Sequence, residues 1–137
     1  MRNNLIIYIQ IFYTIVYGQF NWQDGGVPIR QGLNIEWYRT GDANLDGSTT
    51  IHAWSDCRNG PRGIFAQKVD INGNNLWGEY GIPVAEIDDS QEHPLVVIDG
   101  NGGAYIIWMD YRNASFNGDG DIYAQHILDD GSLDWDI

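Results

Sequence analysis

The sequence predicts an all-β protein assembled from repeated units of short antiparallel strands. The first observation is an internal repeat: the segment 103–135 is a second copy of the segment 49–77, and the tryptophans that begin the two motifs, Trp54 and Trp108, lie 54 residues apart. The second is that no segment shows a sustained apolar period of 3.6 residues, while 17 glycines interrupt the chain, so long helices are not expected. A repeat of this length made of short strands is typical of arrays that build one small sheet per repeat.

The strands within a repeat follow from its residue types. In the second copy we expect strands near 94–98, over 104–109 and over 122–128, and a short fourth strand at the Leu-Trp motif of Leu133 and Trp135. Strands over 50–54 and 64–71 are expected in the first copy, because β-branched and aromatic residues are concentrated there. The Asn-Gly and Asp-Gly pairs that follow favour tight hairpins through positive φ.

Both copies carry the same succession of motifs: Trp-x-Asp-x-Arg, then Ile-(Phe/Tyr)-Ala-Gln, then Gly-x-x-x-Trp. The recurring residues are Trp54, Asp56, Arg58, Gln67 and Trp77 in the first copy and Trp108, Asp110, Arg112, Gln125 and Trp135 in the second. A catalytic constellation is assembled once, whereas a residue that every unit needs recurs. We therefore predict a structural role for them, with the tryptophans packing between units and Asp and Arg pairing to hold the following loop.

The chain divides into a leader and one repeat domain. The leader is 1–18 and the domain is 19–137, which comprises a repeat tail at 20–36, a full repeat at 37–84 and a partial repeat at 85–137. The tail is identified by Gly-Val-Pro-Ile at 26–29, which matches Gly-Ile-Pro-Val at 81–84. Because proline cannot donate to a ladder, both segments are expected at a sheet edge or at the exit of a strand.

Four antiparallel strands in a repeat of about 40 to 55 residues are the pattern of a β-propeller blade. The fold prediction is therefore an all-β chain with about two antiparallel, propeller-like blades, which is an incomplete propeller or a fragment of one. Two blades cannot close a ring, and their open edges favour self-association. The segment 20–23 could complete the last blade of another chain; the alternative is a marginally stable monomer.

The motifs above, with Gly-(Val/Ile)-Pro-(Val/Ile), resemble repeats of large bacterial secreted and surface proteins that are predicted to form β-propellers. The resemblance covers roughly residue 20 to the C-terminus. It implies a secreted or cell-surface bacterial protein with a non-catalytic binding or scaffold role toward an extracellular protein or carbohydrate. A more distant likeness is to sialidase-type propellers, whose Asp-box hairpins are similar to the one formed by Asp129, Gly131 and Trp135. That likeness implies the alternative, a fragment of a sialidase-like carbohydrate-active enzyme.

Composition excludes several classes of partner. The net charge of −12 disfavours nucleic acid, since phosphate binding needs clustered positive charge, and it disfavours anionic membranes for the same reason. Cys57 is the only cysteine, so no intrachain disulfide can form, and a cysteine-based zinc site is not expected. The sequence contains no nucleophile elbow, phosphate loop or zinc signature, and this favours a non-catalytic protein.

Two further groups of residues are candidates for ligand binding. Trp37 and Tyr38 have no aromatic counterpart in the second copy, so they are the residues that would form a carbohydrate-stacking site. The metal candidates are Asp42, Asn44, Asp46 and Ser48. Their spacing matches the first half of a calcium loop, but Ala53 stands where the bidentate glutamate belongs. Weak calcium binding and a solvated Asx turn both explain this stretch, and no other cofactor is predicted.

The leader has the layout of a secretory signal peptide. Arg2 makes a positive start, an apolar run spans 5–16, and Val16 and Gly18 stand at the −3 and −1 positions of a cleavage site. The run is shorter than the roughly 20 residues that cross a bilayer, so membrane insertion is not expected after cleavage.

We predict that the mature protein begins at Gln19 and is found outside the cytoplasm. Intact-mass measurement of the exported protein checks this, because cleavage before Gln19 fixes its mass. Recovery of an uncleaved, soluble cytoplasmic form would contradict export.

Overall fold

The computed structural model describes residues 24–31, 36–114 and 118–136. The strands are β1 (Glu36–Ala43), β2 (Thr49–Asp56), β3 (Gly63–Asp70), β4 (Ile82–Ala85), β5 (Gln91–Ile98), β6 (Ala104–Asp110) and β7 (Asp121–Ile127). No helix occurs in these three ranges, and none of their residues forms a helix capable of crossing a membrane. The all-β prediction is confirmed, while the predicted leader and the segment 20–23 lie outside the described residues.

The strands form two antiparallel sheets that meander in chain order. The first sheet has the order β1-β2-β3-β4 and the second has the order β5-β6-β7. Neither sheet is closed. Pro83 lies in β4, at the edge of the first sheet, where a residue without an amide donor is tolerated.

The expected strand at the Leu-Trp motif is reduced to single bridges, from Val69 to Asn75 in the first sheet and from Ile127 to Leu133 in the second. The physical reason lies in the next residues of the chain. The buried side-chain oxygen of Gln67 accepts the Trp77 amide (2.9 Å), so this backbone donor is satisfied by a side chain and the ladder stops. The fourth strand of the first sheet is instead β4.

Alternation along the strands gives each sheet two faces. We call the one with Trp54 or Trp108 the tryptophan face and the other the back face. The tryptophan faces carry Thr50, His52, Trp54, Phe65, Gln67 and Val69 in the first sheet and Ala104, Ile106, Trp108, Tyr123, Gln125 and Ile127 in the second. The back faces carry Ile51, Ala53, Ser55, Ile64, Ala66 and Lys68 in the first sheet and Tyr105, Ile107, Met109, Ile122, Ala124 and His126 in the second.

The core lies between the back face of the first sheet and the tryptophan face of the second. Its buried apolar side chains include Ile51, Ala53, Ile64, Ala66, Trp77, Ala104, Ile106, Trp108 and Ile127. Removing this surface from water stabilises the fold by about 25 cal/mol per Å² of apolar area. The two sheets therefore depend on each other, since each covers one apolar face of its neighbour.

Polar contacts hold the two sheets together at one end of this core. The Lys68 ammonium group donates to the Gly102 carbonyl (2.8 Å) and forms an ion pair with Asp129. The Trp77 indole donates to the Asp129 carbonyl (3.1 Å). A Cβ added to Gly131 would lie 2.8 Å from the Trp77 ring, so the glycine is what allows the ring to approach this turn.

Candidate functional site

The recurring Trp-x-Asp-x-Arg motif forms the same clamp in both sheets. In the first sheet, the Asp56 carboxylate accepts the Trp54 indole N–H (2.9 Å), the Arg58 amide (2.9 Å) and the Arg58 Nη2 (2.6 Å). In the second sheet, Asp110 accepts the equivalent groups of Trp108 and Arg112 at 2.9, 3.0 and 2.6 Å. Both carboxylates are inaccessible to solvent. Each clamp is therefore a closed internal network that leaves no carboxylate oxygen free for a substrate.

The electrostatics of the clamps fit this geometry. Burial opposes ionisation of Asp56 and Asp110, but hydrogen bonds from the neighbouring arginine and indole outweigh it and hold the pKa of each carboxyl below its ordinary value. The Arg58 guanidinium also lies over the Phe65 ring at 3.8 Å, and that of Arg112 lies over Tyr123 at 4.1 Å, which adds a cation–π contact.

The recurring glutamines fasten the end of each repeat. The Gln67 side chain accepts the Trp77 amide (2.9 Å) and donates to the Gly78 carbonyl (2.7 Å). Gln125 accepts the Trp135 amide (3.1 Å) in the same way, but it donates to the carbonyl of Trp135 itself (2.9 Å). Both glutamines are buried. A buried side-chain amide needs hydrogen-bond partners. Here the bonds that satisfy the glutamine also fix the backbone at the closing tryptophan.

The predicted aromatic site lies where the first strands of the two sheets meet. The register of β1 shifts between Trp37 and Thr40, and that of β5 shifts between Glu92 and Leu95. Tyr38 and His93 lie in these irregular segments with φ of 48° and 54°, which is uncommon for residues other than glycine. Their rings are in contact, with centroids 3.7 Å apart.

Trp37 lies beside this pair and is half-buried. The Arg62 guanidinium lies 4.5 Å from the centre of the Trp37 ring and forms an ion pair with Glu92. Exposed Tyr38 and half-buried Trp37 thus share one end of the β1–β5 contact with His93, Arg62 and Glu92. The result is a shallow aromatic surface flanked by one cation and one carboxylate.

The four calcium candidates surround the β1–β2 turn, and the carboxylates of Asp42 and Asp46 already accept backbone hydrogen bonds. Asp42 accepts the amides of Ala43 (2.8 Å) and Ile98 (3.2 Å), and Asp46 accepts the Ser48 amide (2.9 Å). They border an open cleft of about 630 Å³ that also contains Lys68. Among the described residues, no group of three or more histidine, cysteine, aspartate or glutamate side chains is arranged to hold a metal. Calcium binding here stays a prediction, and it would have to compete with these amides and with the Lys68 charge.

A histidine–aspartate cluster was not foreseen from the sequence. His126 bonds to Asp99 through Nε2 (2.9 Å) and to Asp134 through Nδ1 (3.0 Å). Its ring stacks on Tyr105, with centroids 4.4 Å apart, and lies 6.1 Å from Trp135. Hydrogen bonds to Asp99 and then Asp134 raise the pKa of the imidazole. The only sequence signal was the replacement of Lys68 by His126 at the matching position of the repeat.

Because the pKa of His126 is raised in the folded protein, the cluster stabilises the fold fully below the ordinary pKa of 6.5. This contribution is lost as the pH rises through the raised value. We predict that the free energy of unfolding of the wild type falls relative to that of His126→Gln over this window. Urea titration of both proteins at pH values on either side of the window checks the prediction.

The contribution of His52 to the pH dependence has the opposite sign, because burial lowers the pKa of its imidazole. Since both proteins contain His52, the difference between the unfolding free energies of the wild type and His126→Gln isolates the contribution of His126. His93→Gln, which removes an exposed imidazole, is the matched control for the loss of a histidine. A pH dependence of His126→Gln equal to that of the wild type would rule out the contribution of the cluster.

No protein-family model matches the chain, and neither the curated proteins nor the solved structures give a match.

Proposed function

We propose that the chain is an exported, non-catalytic repeat protein of β-propeller type with an extracellular binding or scaffold role. Its ligand would be a protein or a carbohydrate outside a bacterial cell. The non-catalytic role is supported by the partners of the recurring charged residues. Asp56, Arg58, Asp110 and Arg112 are consumed by two identical internal clamps, so the most conspicuous acids and bases of the motif have structural partners.

The propeller assignment is supported by how the two sheets follow each other. Each is an antiparallel meander, and the chain passes from the edge strand β4 of the first sheet to β5 at the edge of the second. The back face of the first sheet packs on the tryptophan face of the second. Successive blades of a propeller are arranged in this way, with four-stranded sheets stacked side by side.

The aromatic surface at Trp37 and Tyr38 is the part best suited to bind a ligand. Aromatic rings such as that of exposed Tyr38 offer apolar faces on which sugars stack. The non-glycine residues with positive φ at this surface are a second argument. Such conformations persist only where the surroundings fix them, and they are frequent at binding sites.

The feature that would favour the alternative, a fragment of a sialidase-like enzyme, is an unrepeated cluster of Arg, Tyr and Asp side chains on one rim. Among the described residues, Arg58 and Arg112 belong to the clamps, Arg30 pairs with Glu36, and Arg62 pairs with Glu92. The remaining one, Arg39, donates to the Glu36 carbonyl (3.0 Å). The distribution of arginines therefore favours binding over glycoside hydrolysis.

We predict that Trp37→Ala weakens binding of any carbohydrate ligand found on a glycan array by about tenfold or more, since truncating an aromatic hot-spot residue costs about 2 kcal/mol or more and about 1.4 kcal/mol is tenfold in affinity. The measurement is a titration of each protein with the glycan identified on the array, monitored by tryptophan fluorescence. Tyr80→Ala removes an exposed ring elsewhere and serves as the matched control.

Tyr38→Ala is the second test variant, because Trp37 is half-buried and its loss could also lower stability. Thermal unfolding of each variant shows whether the fold is kept. Wild-type affinity in both variants would overturn the site. Catalytic turnover of sialosides by the wild type would overturn the non-catalytic assignment.

A further inference from the structure

The back face of the second sheet is an exposed apolar surface. Leu95 is 59% exposed, Val97 48%, Ile122 70% and Trp135 45%. Val97 pairs with Tyr105, and Leu95 pairs with Ile107, so these side chains form one continuous patch across β5, β6 and β7. Large contiguous apolar patches on soluble proteins usually mark interaction sites.

In the first sheet, the β2 and β3 positions that correspond to the β6 and β7 part of this surface are buried. Ile51, Ala53, Ile64 and Ala66 correspond to Tyr105, Ile107, Ile122 and Ala124, and each of these first-sheet residues is at most 1% exposed. The contrast is largest for the closing tryptophans, since Trp77 is 3% exposed and Trp135 is 45% exposed. What covers the first-sheet positions is the tryptophan face of the next sheet. The uncovered patch on the second sheet therefore corresponds to the back face of the first sheet, which packs against a tryptophan face.

The edge of the second sheet is open at the matching place as well. In the first sheet, β3 pairs with β4 through Phe65–Pro83 and Ala66–Ile82. At the equivalent Tyr123 and Ala124 of β7, no strand among the described residues is paired. The second sheet thus offers both an uncovered face and an unpaired edge for a segment like β4.

The chain itself contains both complementary parts. The segment 26–29, Gly-Val-Pro-Ile, has the pattern of β4 and the residue before it. It pairs with no described strand and lies beside the first sheet instead. There Asn75 donates to the Pro28 carbonyl (3.3 Å), and Val27 fits against Gly73, where an added Cβ would lie 2.6 Å from it.

The tryptophan face of the first sheet is incompletely covered by this segment. A cleft of about 280 Å³ remains between them, lined by Val27, Ile29, His52 and Trp54 among others. In the second sheet the corresponding face is packed into the core. Trp54 and Phe65 on this face are only 3% and 2% exposed, so the face can receive a neighbour only after the segment 26–29 has moved away from it.

We propose that the back face of the second sheet binds a second copy of this chain, head to tail. The partner would contribute the tryptophan face of its first sheet, and its segment 26–29 would add to β7 as β4 adds to β3. The contact would repeat, between two molecules, the interface that joins the two sheets within one. Because the two surfaces differ, each bound copy leaves a free surface at either end, and further copies can add.

The test is sedimentation velocity of the full chain over a wide range of concentration. We expect the wild type to associate and Ile122→Asp to associate about tenfold more weakly or not at all, since a buried charge would replace apolar contact. Leu45→Asp, in the exposed β1–β2 turn, is the matched control and should associate like the wild type. Leu95→Asp replaces Ile122→Asp if that variant does not fold, as judged by thermal unfolding.

Mixing separates head-to-tail binding from pairing of two identical back faces. Val27→Asp alters the head and Ile122→Asp alters the tail, so each should be monomeric alone and the two together should form a one-to-one complex. Association of Val27→Asp by itself would overturn the head-to-tail arrangement. A wild type that stays monomeric at all concentrations, or an Ile122→Asp variant that associates like the wild type, would overturn the proposal as a whole. The outcome is independent of ligand binding at Trp37.

Discussion

Each sheet of this protein has two apolar faces, and the packing of one sheet on the next is the constraint on which the rest of the structure depends. A sheet with water on one side can alternate polar and apolar residues. In β3, by contrast, all residues from Gly63 to Val69 are buried. The first sheet therefore requires cover on both sides. The second sheet lies on its back face, and the segment 24–31 lies at its tryptophan face. Burial of polar groups in such a sheet is tolerable only with partners.

The two clamps and the two glutamines provide the partners that these buried polar groups need. A tryptophan supplies more apolar area than any other side chain, but its indole N–H needs an acceptor when buried. Asp56 and Asp110 accept it, and the arginine two residues later pairs with the buried carboxylate and balances its charge. Gln67 and Gln125 perform the same task for the backbone that turns away at the closing tryptophan. The same tryptophan, aspartate, arginine and glutamine recur in both copies because each copy buries the same polar groups, and these need the same partners.

The sequence predicted the strands well because their signals are local. The strand expected over 104–109 is β6 at Ala104–Asp110, and that expected over 64–71 is β3 at Gly63–Asp70. The Asp–Arg pairing was also predictable, since the two residues are neighbours along the chain. Contacts between distant residues were not, and the clearest cases are Lys68 with Asp129 and His126 with Asp99. They depend on how two sheets meet, and a period of two along a strand carries no information about that.

The aromatic surface at Trp37 and Tyr38 is another case in which contacts between distant residues could not be predicted. The lack of a repeat counterpart drew attention to Trp37 and Tyr38. Their neighbours His93, Arg62 and Glu92 were not foreseen, because matching irregularities in β1 and β5 bring them there. A shift of register is decided by the backbone and its tertiary packing, so composition alone does not reveal it.

The central claim is that the recurring charges maintain the fold. It is tested most directly by the free energy of unfolding of Asp110→Asn, measured by urea titration beside Asp119→Asn, which alters an exposed carboxylate. We predict a loss of about 2 to 4 kcal/mol for Asp110→Asn, because the Arg112 charge and the Trp108 N–H lose their shared acceptor, and a change within about 0.5 kcal/mol for Asp119→Asn. Equal stability of the two variants would contradict the account.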